Sequence, residues 1–516
     1  MRVLWVDDEM EHLEAHVLYL RGKGIEVDLV SNANEALDCL HETPYDLLLL
    51  DEQMPGKRGL DLLTELKLHY PNLPVVMVTK SEEENLMNEA IGLNITDYLI
   101  KPVKPQQLLS SIKKILERKK LVSSKLAEEY QQEFRQIALK LMQVNEVEEW
   151  FWIYKKLVYW DLALSQSEDK ALQDVLQSQR QEANNIFARY IEQNYLDWLH
   201  SEDRPLLAPD VFKKRFFPAL EKGKKQSHFL ILVDCLRYDQ WEIFASVLQE
   251  WFYFETELFL SILPTATQYV RNSMFAGLFP LEIKKRFPSY WKTDYEEGLK
   301  NEYEPELLRE QLVREKVYHK FNYVKIISLD EGRDLVNQVS NLVQTPLNFI
   351  VFNFIDTLSH ARSEHYIMRE LAPNEHALLS VTRAWLTNSY LLEFLKQLRR
   401  YNVRIFLTTD HGSIQVRRPI RIIGDRETTT NLRYKQGRNL NYDKKDRSRL
   451  IEFTKPEDAL LTKDSVSASY VFAKQDYFFV YPNNYAHYLN KFKDTFQHGG
   501  VSLEEMIIPW VELVPR

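Results

Sequence analysis

The sequence predicts a multidomain α/β chain in three parts. These are a (βα)5 domain over 1–118, an all-α helical bundle over 119–222 and a second α/β domain over 223–516. Three observations predict this division. Strand-type apolar runs alternate with amphipathic segments up to about residue 118. Strand runs and glycine then vanish, and apolar residues recur every three or four positions. After Pro205, Pro209, Pro218 and Gly223 punctuate the chain, the alternation of strands and helices returns.

In the first part, strands read at 2–6, about 25–30, 46–50, 74–79 and 96–100. Asp7-Asp8-Glu9 follows the first strand, Asp51 ends the third, Thr79 ends the fourth and Lys101-Pro102 closes the fifth. In a doubly wound sheet these ends gather at one edge. Clustered carboxylates repel unless a hard cation joins them, and oxygen ligands suit Mg²⁺. A lysine nearby supplies positive charge for a phosphoryl group, and a threonine hydroxyl can donate a hydrogen bond to it. The set Asp-Asp-Glu, Asp51 with Met54-Pro55 and Gly59, Thr79 and Lys101-Pro102 resembles the receiver domain of two-component response regulators. The resemblance implies that Asp51 accepts a phosphoryl group. It implies that Asp8, Asp51 and the Gln53 carbonyl hold Mg²⁺, that Asp7 assists, and that Tyr98 is the switch aromatic.

In the second part, Leu126, Tyr130, Phe134, Ile137 and Leu141 mark one helix face. The stretch Trp150-Phe151-Trp152-Ile153-Tyr154 with Val158-Tyr159-Trp160 is too aromatic for a solvated helix. A further helix runs through Leu172, Leu176, Ile186 and Tyr190. This bundle serves as a rigid spacer, a dimer surface or both.

In the third part, three apolar runs end in metal-ligand chemistry. Phe229–Val233 ends in Asp234, Phe349–Ile355 ends in Asp356, and Arg404–Thr409 ends in Asp410-His411-Gly412. Asp356 and His360 are four apart, on one face of a helical turn. Pro264-Thr265-Ala266-Thr267 precedes a helix that ends near Ala276-Gly277, and His498 precedes Gly499-Gly500. Carboxylate with imidazole suits Zn²⁺, with Mn²⁺ as second choice. Two ions can polarise a phosphoryl oxygen and ionise a hydroxyl. An aliphatic hydroxyl needs that help at neutral pH. The order Asp, Thr, Asp-x3-His, Asp-His-Gly, His-Gly-Gly resembles the alkaline phosphatase superfamily, and its PglZ branch in particular. By that resemblance Asp356, His360 and His498 hold one Zn²⁺. Asp234, Asp410 and His411 hold the other, and Thr267 bridges as nucleophile, with Thr265 as the alternative.

Further contacts follow from position. Arg237, three residues after Asp234, is placed either to meet the substrate or to pair with Asp239. Asn272 lies one turn after Thr267. The segment 417–449 holds eleven Lys and Arg against four Asp and Glu. It is expected as a basic lid over the site, or a solvated loop, with Arg433, Lys435, Tyr434 and Tyr442 suiting a phosphate-rich ligand such as an oligonucleotide.

Bulk properties narrow the class. Cys39 and Cys235 are the only cysteines, which makes no disulfide framework. No signal peptide is visible and no apolar run reaches the roughly 18 residues of a membrane span. A cytoplasmic protein without a membrane segment is expected. A formal charge of −9 and the lack of a basic recognition helix argue against a DNA-binding regulator.

The three parts together resemble the PorX-type response regulators linked to type IX secretion in Bacteroidetes. That resemblance implies phosphorylation by a sensor histidine kinase, two Zn²⁺ in the effector domain, a homodimer on phosphorylation and interaction with a sigma factor. It also implies phosphodiesterase activity toward cyclic or linear oligonucleotides. The alternative is a non-catalytic regulatory scaffold that binds a nucleotide or a sigma factor.

Overall fold

The computed structural model describes all residues except 72, 81–83, 94, 166–168, 223–225, 295, 297, 359–369, 371–372, 426–428 and 484; of 84–86, 117–123 and 222 it describes only the backbone. The chain divides into two compact units, Met1–Glu133 and Phe134–Arg516.

The first unit is a parallel sheet of β1 (Arg2–Val6), β2 (Glu26–Val30), β3 (Leu47–Leu50), β4 (Val75–Thr79) and β5 (Asp97–Ile100), in the order β2-β1-β3-β4-β5. The helices are α1 (Glu14–Arg21), α2 (Ala33–Glu42), α3 (Gly59–His69), α4 (Glu84–Gly92) and α5 (Pro105–Gln143). Successive strand residues face opposite sides. Val3 and Trp5 therefore join the core beneath α1 and α5, while Leu4 and Val6 join the one beneath α2 and α3. A sheet covered on both faces explains why β3 reads as four uninterrupted leucines.

The expected break at 118/119 lies inside α5, which is one helix of 39 residues, and the division into units falls later within it. No proline or glycine interrupts the helix after Pro105, so nothing local ends it there.

The second unit opens with the end of α5. It continues with α6 (Val147–Ser165), α7 (Lys170–His200) and the short α8 (Phe217–Lys222). The aromatic run of α6 buries Trp150, Tyr154 and Trp160 but leaves Tyr159 exposed.

A six-stranded mixed sheet follows. It is built from β6 (Ser227–Val233), β7 (Phe252–Leu260), β8 (Phe321–Ile326), β9 (Leu347–Phe352), β10 (Val403–Thr408) and the last strand, named β19 below. Between β6 and β7 lies α9 (Tyr238–Leu248), and after β7 comes α10 (Thr267–Ala276), which stops at Gly277. The strands β11 (Ile414–Gln415), β12 (Arg418–Ile423), β13 (Tyr434–Gly437), β14 (Asn441–Tyr442), β15 (Leu450–Phe453), β16 (Ser469–Ala473), β17 (Tyr477–Val480) and β18 (Phe496–Gln497) form three small sheets. The chain closes with β19 (Ile507–Pro515), and the large sheet runs β7-β19-β10-β6-β9-β8. β10, β6, β9 and β8 are mutually parallel. The residues that follow β6, β9 and β10 therefore emerge at one sheet edge.

The expected basic lid over 417–449 is instead woven into these small sheets as β12, β13 and β14. Of its described basic side chains, Arg433 and Lys435 are buried, whereas Arg418, Arg421, Arg438, Lys444, Lys445 and Arg447 are exposed. Among the described residues, no helix is long and apolar enough to cross a membrane.

Candidate functional site

In the first unit, Asp7, Asp8 and Asp51 offer carboxylate oxygens within 4.8 Å of one another. Asp7 and Asp51 are buried and Asp8 is exposed. The Lys101 amine lies 2.7 Å from Asp7 Oδ2 and 2.8 Å from Asp51 Oδ2. Burial acts to lower the Lys101 pKa, but its hydrogen bonds to Asp51 and Asp7 prevail and raise it. Burial raises Asp51, with Lys101 acting against the shift. Three carboxylates facing one ammonium leave an excess of negative charge, which suits a hard divalent cation such as Mg²⁺. Thr79 is fully buried at the end of β4, Tyr98 packs at the edge of one core, and Gln53 is exposed in the loop before α3. Gly59 has a packing reason. A Cβ there would overlap the Asp51 carbonyl oxygen, so the backbone of α3 closes directly onto the strand end.

In the second unit, the turn after β6 carries Asp234 into Cys235, whose φ is 63°. A left-handed non-glycine residue costs on the order of 1–3 kcal/mol and persists where surroundings hold it. Here the Cys235 N–H donates to Asp410 Oδ1 at 3.1 Å and the Leu236 N–H donates to Thr409 Oγ1 at 3.0 Å. The β6 and β10 turns are thereby stitched together. Asp234, Asp410 and His411 are fully buried, with ligand atoms within 4.8 Å of one another. Burial, and then the charge of Asp410, push Asp234 well above the ordinary carboxylate range.

The imidazoles are oriented alike. His411 Nδ1 lies 3.1 Å from the Gly412 carbonyl, which can only accept, so Nδ1 carries the proton. His498 Nδ1 lies 3.2 Å from the Thr265 carbonyl, with the same consequence. Each Nε2 is then the nitrogen suited to a ligand role, the arrangement by which second-shell carbonyls prepare metal-binding histidines. The two rings stack with centroids 4.4 Å apart. His498 Nε2 lies 3.6 Å from Asp356 Oδ1, and His360 lies outside the described residues.

Thr267 is half-buried as the first residue of α10. Its Oγ1 lies 3.1 Å from His411 Nε2 and 3.4 Å from Asp234 Oδ1. Thr265 is different. Its hydroxyl donates to the Gly500 carbonyl at 2.9 Å and accepts from the Gly499 N–H at 3.0 Å, so it braces the loop behind His498. Two buried carboxylates and an imidazole converge here, and Asp410 Oδ2 is buried with no hydrogen-bond donor among the described residues. Carboxylate oxygen with imidazole nitrogen is a donor set that fits zinc.

The residues expected at the substrate make these contacts. Arg237 is fully buried, forked onto Asp239 and 3.4 Å from Glu375, the structural pairing that its sequence position also allowed. Asn272 Nδ2 donates to the Lys300 carbonyl at 3.1 Å, and Asn272 Oδ1 accepts from Asn301. Arg433 is fully buried and forked onto Glu505. Tyr434 donates to Asp294 and Tyr442 to Glu452. Lys435 is fully buried, donating to the Thr429 carbonyl at 2.7 Å. Each of these side chains is held by an acid, an amide or a carbonyl of the same unit.

Lys435 carries a pH prediction. Burial pushes its amine down to about 7. Between that value and the unfolded pKa of about 10, the fold holds the amine neutral while the unfolded chain binds a proton. Stability therefore drops as pH falls through this window. Denaturant titrations should show wild type losing ground to Lys435→Met between about pH 10 and pH 7, then levelling. Parallel profiles would refute the assignment.

The sequence reading missed Arg271, Glu304 and Thr409. Arg271 Nη1 donates to Asp234 Oδ2 at 2.5 Å, while its Nε and Nη2 reach Glu304 at 2.8 and 3.0 Å. Its spacing of four from Thr267 puts both on one face of α10, a signal that was available. Glu304 comes from a distant helix (Glu304–Arg314) and had none.

Known proteins match this chain in three segments. The family described as BREX system PglZ alkaline phosphatase-like domain matches residues 211–513, the PorX response regulator linker domain matches 120–199, and the response regulator receiver domain matches 3–113. The chain is 36% identical over 119 residues to the transcriptional regulatory protein BaeR of Escherichia coli O6:H1, covering 23% of this chain and 48% of that protein. It is 32% identical over 119 residues to the DNA-binding response regulator MtrA of Mycolicibacterium paratuberculosis, covering 23% and 52%. The match thus spans about half the length of these curated relatives. Among solved structures, a CheY-like receiver domain protein from Methanospirillum hungatei is similar at 29% identity and TM-score 0.22, covering 23% of this chain and 94% of that one.

Proposed function

We propose, from the premise that this chain belongs to the PglZ family and is a PorX-type regulator, that its output is zinc-dependent hydrolysis of phosphate esters, switched by phosphorylation of Asp51. It is a response regulator with an alkaline phosphatase-like domain, and a receiver domain implies a cognate histidine kinase. The finer reading is carried by one observation, the convergence of Thr267 Oγ1 on His411 Nε2 and Asp234 Oδ1 beside buried Asp410.

Asp234, Asp410 and His411 would hold one zinc ion, and Asp356, His498 and His360 the second. Such ions supply polarisation of a phosphoryl oxygen and ionisation of a hydroxyl. The chain's own groups do the rest. Thr267 Oγ1 forms a bond to phosphorus as the bond to the leaving alkoxide breaks, and a proton passes to that alkoxide. Thr267 opens α10, so negative charge developing on the transferred group lies at the positive end of the helix dipole. Arg271 holds Asp234 Oδ2 and leaves Oδ1 turned toward Thr267. Water then cleaves the threonine ester and releases the phosphate product. The reading extends to cyclic or linear oligonucleotide substrates, to dimerisation on phosphorylation, to a sigma factor partner and to control of type IX secretion.

Zinc-loaded protein should hydrolyse bis(4-nitrophenyl) phosphate, lose that activity to a chelator, and regain it with zinc. Absence of turnover on both this diester and 4-nitrophenyl phosphate, with zinc measured in the protein, would sink the hydrolase reading. For the switch, beryllofluoride with Mg²⁺ should raise the mass seen by light scattering in wild type and leave Asp51→Asn unchanged. An equal response of both proteins would separate dimerisation from Asp51.

A further inference from the structure

Helix α7 buries polar side chains on the face that packs against the large domain. Arg180 and Asn184 are 5% and 4% exposed, where packing alone would be served by aliphatic residues. A buried guanidinium is tolerated only when acids and well-placed acceptors meet it. Arg180 Nε donates to Glu504 Oε1 at 2.9 Å, and its Nη1 donates to Glu375 Oε2 at 2.6 Å. One turn on, Asn184 Nδ2 donates to Glu504 Oε2 at 3.0 Å, while Asn184 Oδ1 accepts the Leu503 N–H at 2.8 Å. Two residues of one helix thus grip both the side chain of Glu504 and the backbone before it.

The gripped turn, 502–506, is tied to the backbone beside both histidines of the candidate centre. Glu505 Oε1 accepts the Gly500 N–H at 2.9 Å, two residues after His498. The Gly412 N–H, next to His411, donates to the Glu505 carbonyl at 3.1 Å. Gly412 also lies so close to the Glu504 carbonyl that a Cβ there would overlap it. The second acid, Glu375, is shared with Arg237, three residues after Asp234. Burial works to raise Glu375, yet Arg180 and then Arg237 hold it down to about 2, so it stays ionised between the two guanidiniums. From Arg180, one intervening acid leads to each segment that carries Asp234, His411 or His498.

We propose that Arg180 and Asn184 are positioning residues, through which the linker helix α7 sets the placement of His411 and His498. The centre is then not complete within the phosphatase-like fold alone. It takes its geometry from a helix of the linker, which gives any movement of that helix a direct route to the site. This rests on reading the centre as the zinc-binding reaction centre.

The test uses the full-length protein and two variants. Arg180→Lys keeps the charge and loses the fork, and Asn184→Leu removes the hold on Leu503 without a charge change. Three readouts are compared at matched folded fraction. They are zinc affinity by competition with a chromophoric chelator, amide hydrogen exchange of 498–506, and kcat and KM for bis(4-nitrophenyl) phosphate. Each variant is expected to bind zinc at least tenfold more weakly, to exchange faster across 498–506, and to lose kcat at least tenfold with KM within about threefold. Variants that lose thermal stability but keep zinc affinity and kcat within twofold would overturn the proposal, since a merely structural role predicts that pattern. If wild type hydrolyses nothing, the hydrolase reading fails by itself, and zinc affinity and exchange still decide the positioning role.

Discussion

Replacing Thr267 by alanine is expected to lower kcat/KM for a phosphodiester by about 10³-fold or more, with zinc retained. The expectation rests on Oγ1 being the one hydroxyl among the described residues that faces both His411 Nε2 and Asp234 Oδ1. Thr265, two residues earlier, has its hydroxyl engaged by the Gly499 N–H and the Gly500 carbonyl. Thr265→Ala should act mainly through stability and through the loop behind His498. Zinc content separates chemistry from assembly. Asp410→Ala removes a carboxylate that faces the centre and should lose metal, whereas Thr267→Ala should keep most of it. Equal hydrolysis by wild type and Thr267→Ala, both zinc-replete, would rule out attack by this residue. It would also favour a regulatory scaffold with structural zinc.

The second large effect concerns Arg271. Its side chain is fully buried, as are Asp234 and Glu304, the two acids it joins. The Tyr323 hydroxyl donates to the same Glu304 carboxylate, which is thereby held in place for the guanidinium fork. Removing the cation leaves the buried Asp234 and Glu304 carboxylates without the guanidinium they share. Breaking a buried pair from one side costs about 3–5 kcal/mol. Arg271→Met should therefore lower the unfolding free energy at pH 7 by that order, measured by denaturant titration of the metal-free protein. Glu304→Gln in the same chain should restore part of the loss, because one of the unpaired charges is then gone. A loss under about 1 kcal/mol would show that the pair contributes little beyond its own desolvation cost.

Much of the architecture was legible because strand ends and helix periods are local. The run Leu47–Leu50 had to be a strand covered on both faces, and its end put Asp51 beside Asp7 and Lys101. The same logic brought Asp234 and Asp410 together, since β6 and β10 are parallel neighbours. The boundary expected at 118 falls between the receiver match and the linker match, inside a helix that runs through both. A change of composition marks where a helix leaves one core, and it carries no information on whether the helix itself continues. His360 lies outside the described residues, so its expected pairing with Asp356 stands as a proposal.

By itself the sequence determined the three-part organisation, the strand-end carboxylates, and the order of acidic, hydroxyl and imidazole groups, because each depends on spacing within one element. Only the tertiary structure decided which charged groups are inside. Arg433 and Lys435 read as part of a basic lid over the site or of a solvated loop, yet both are buried, against Glu505 and the Thr429 carbonyl. Arg180 carried no signal in the sequence, and Glu504, 324 positions away, makes it part of the wall behind the candidate centre. Charge in a sequence signals exposure by default, since a lone buried charge is unaffordable. For Arg180 and Arg433, what reverses that default is a counter-charge brought by a remote segment, and no local pattern records it.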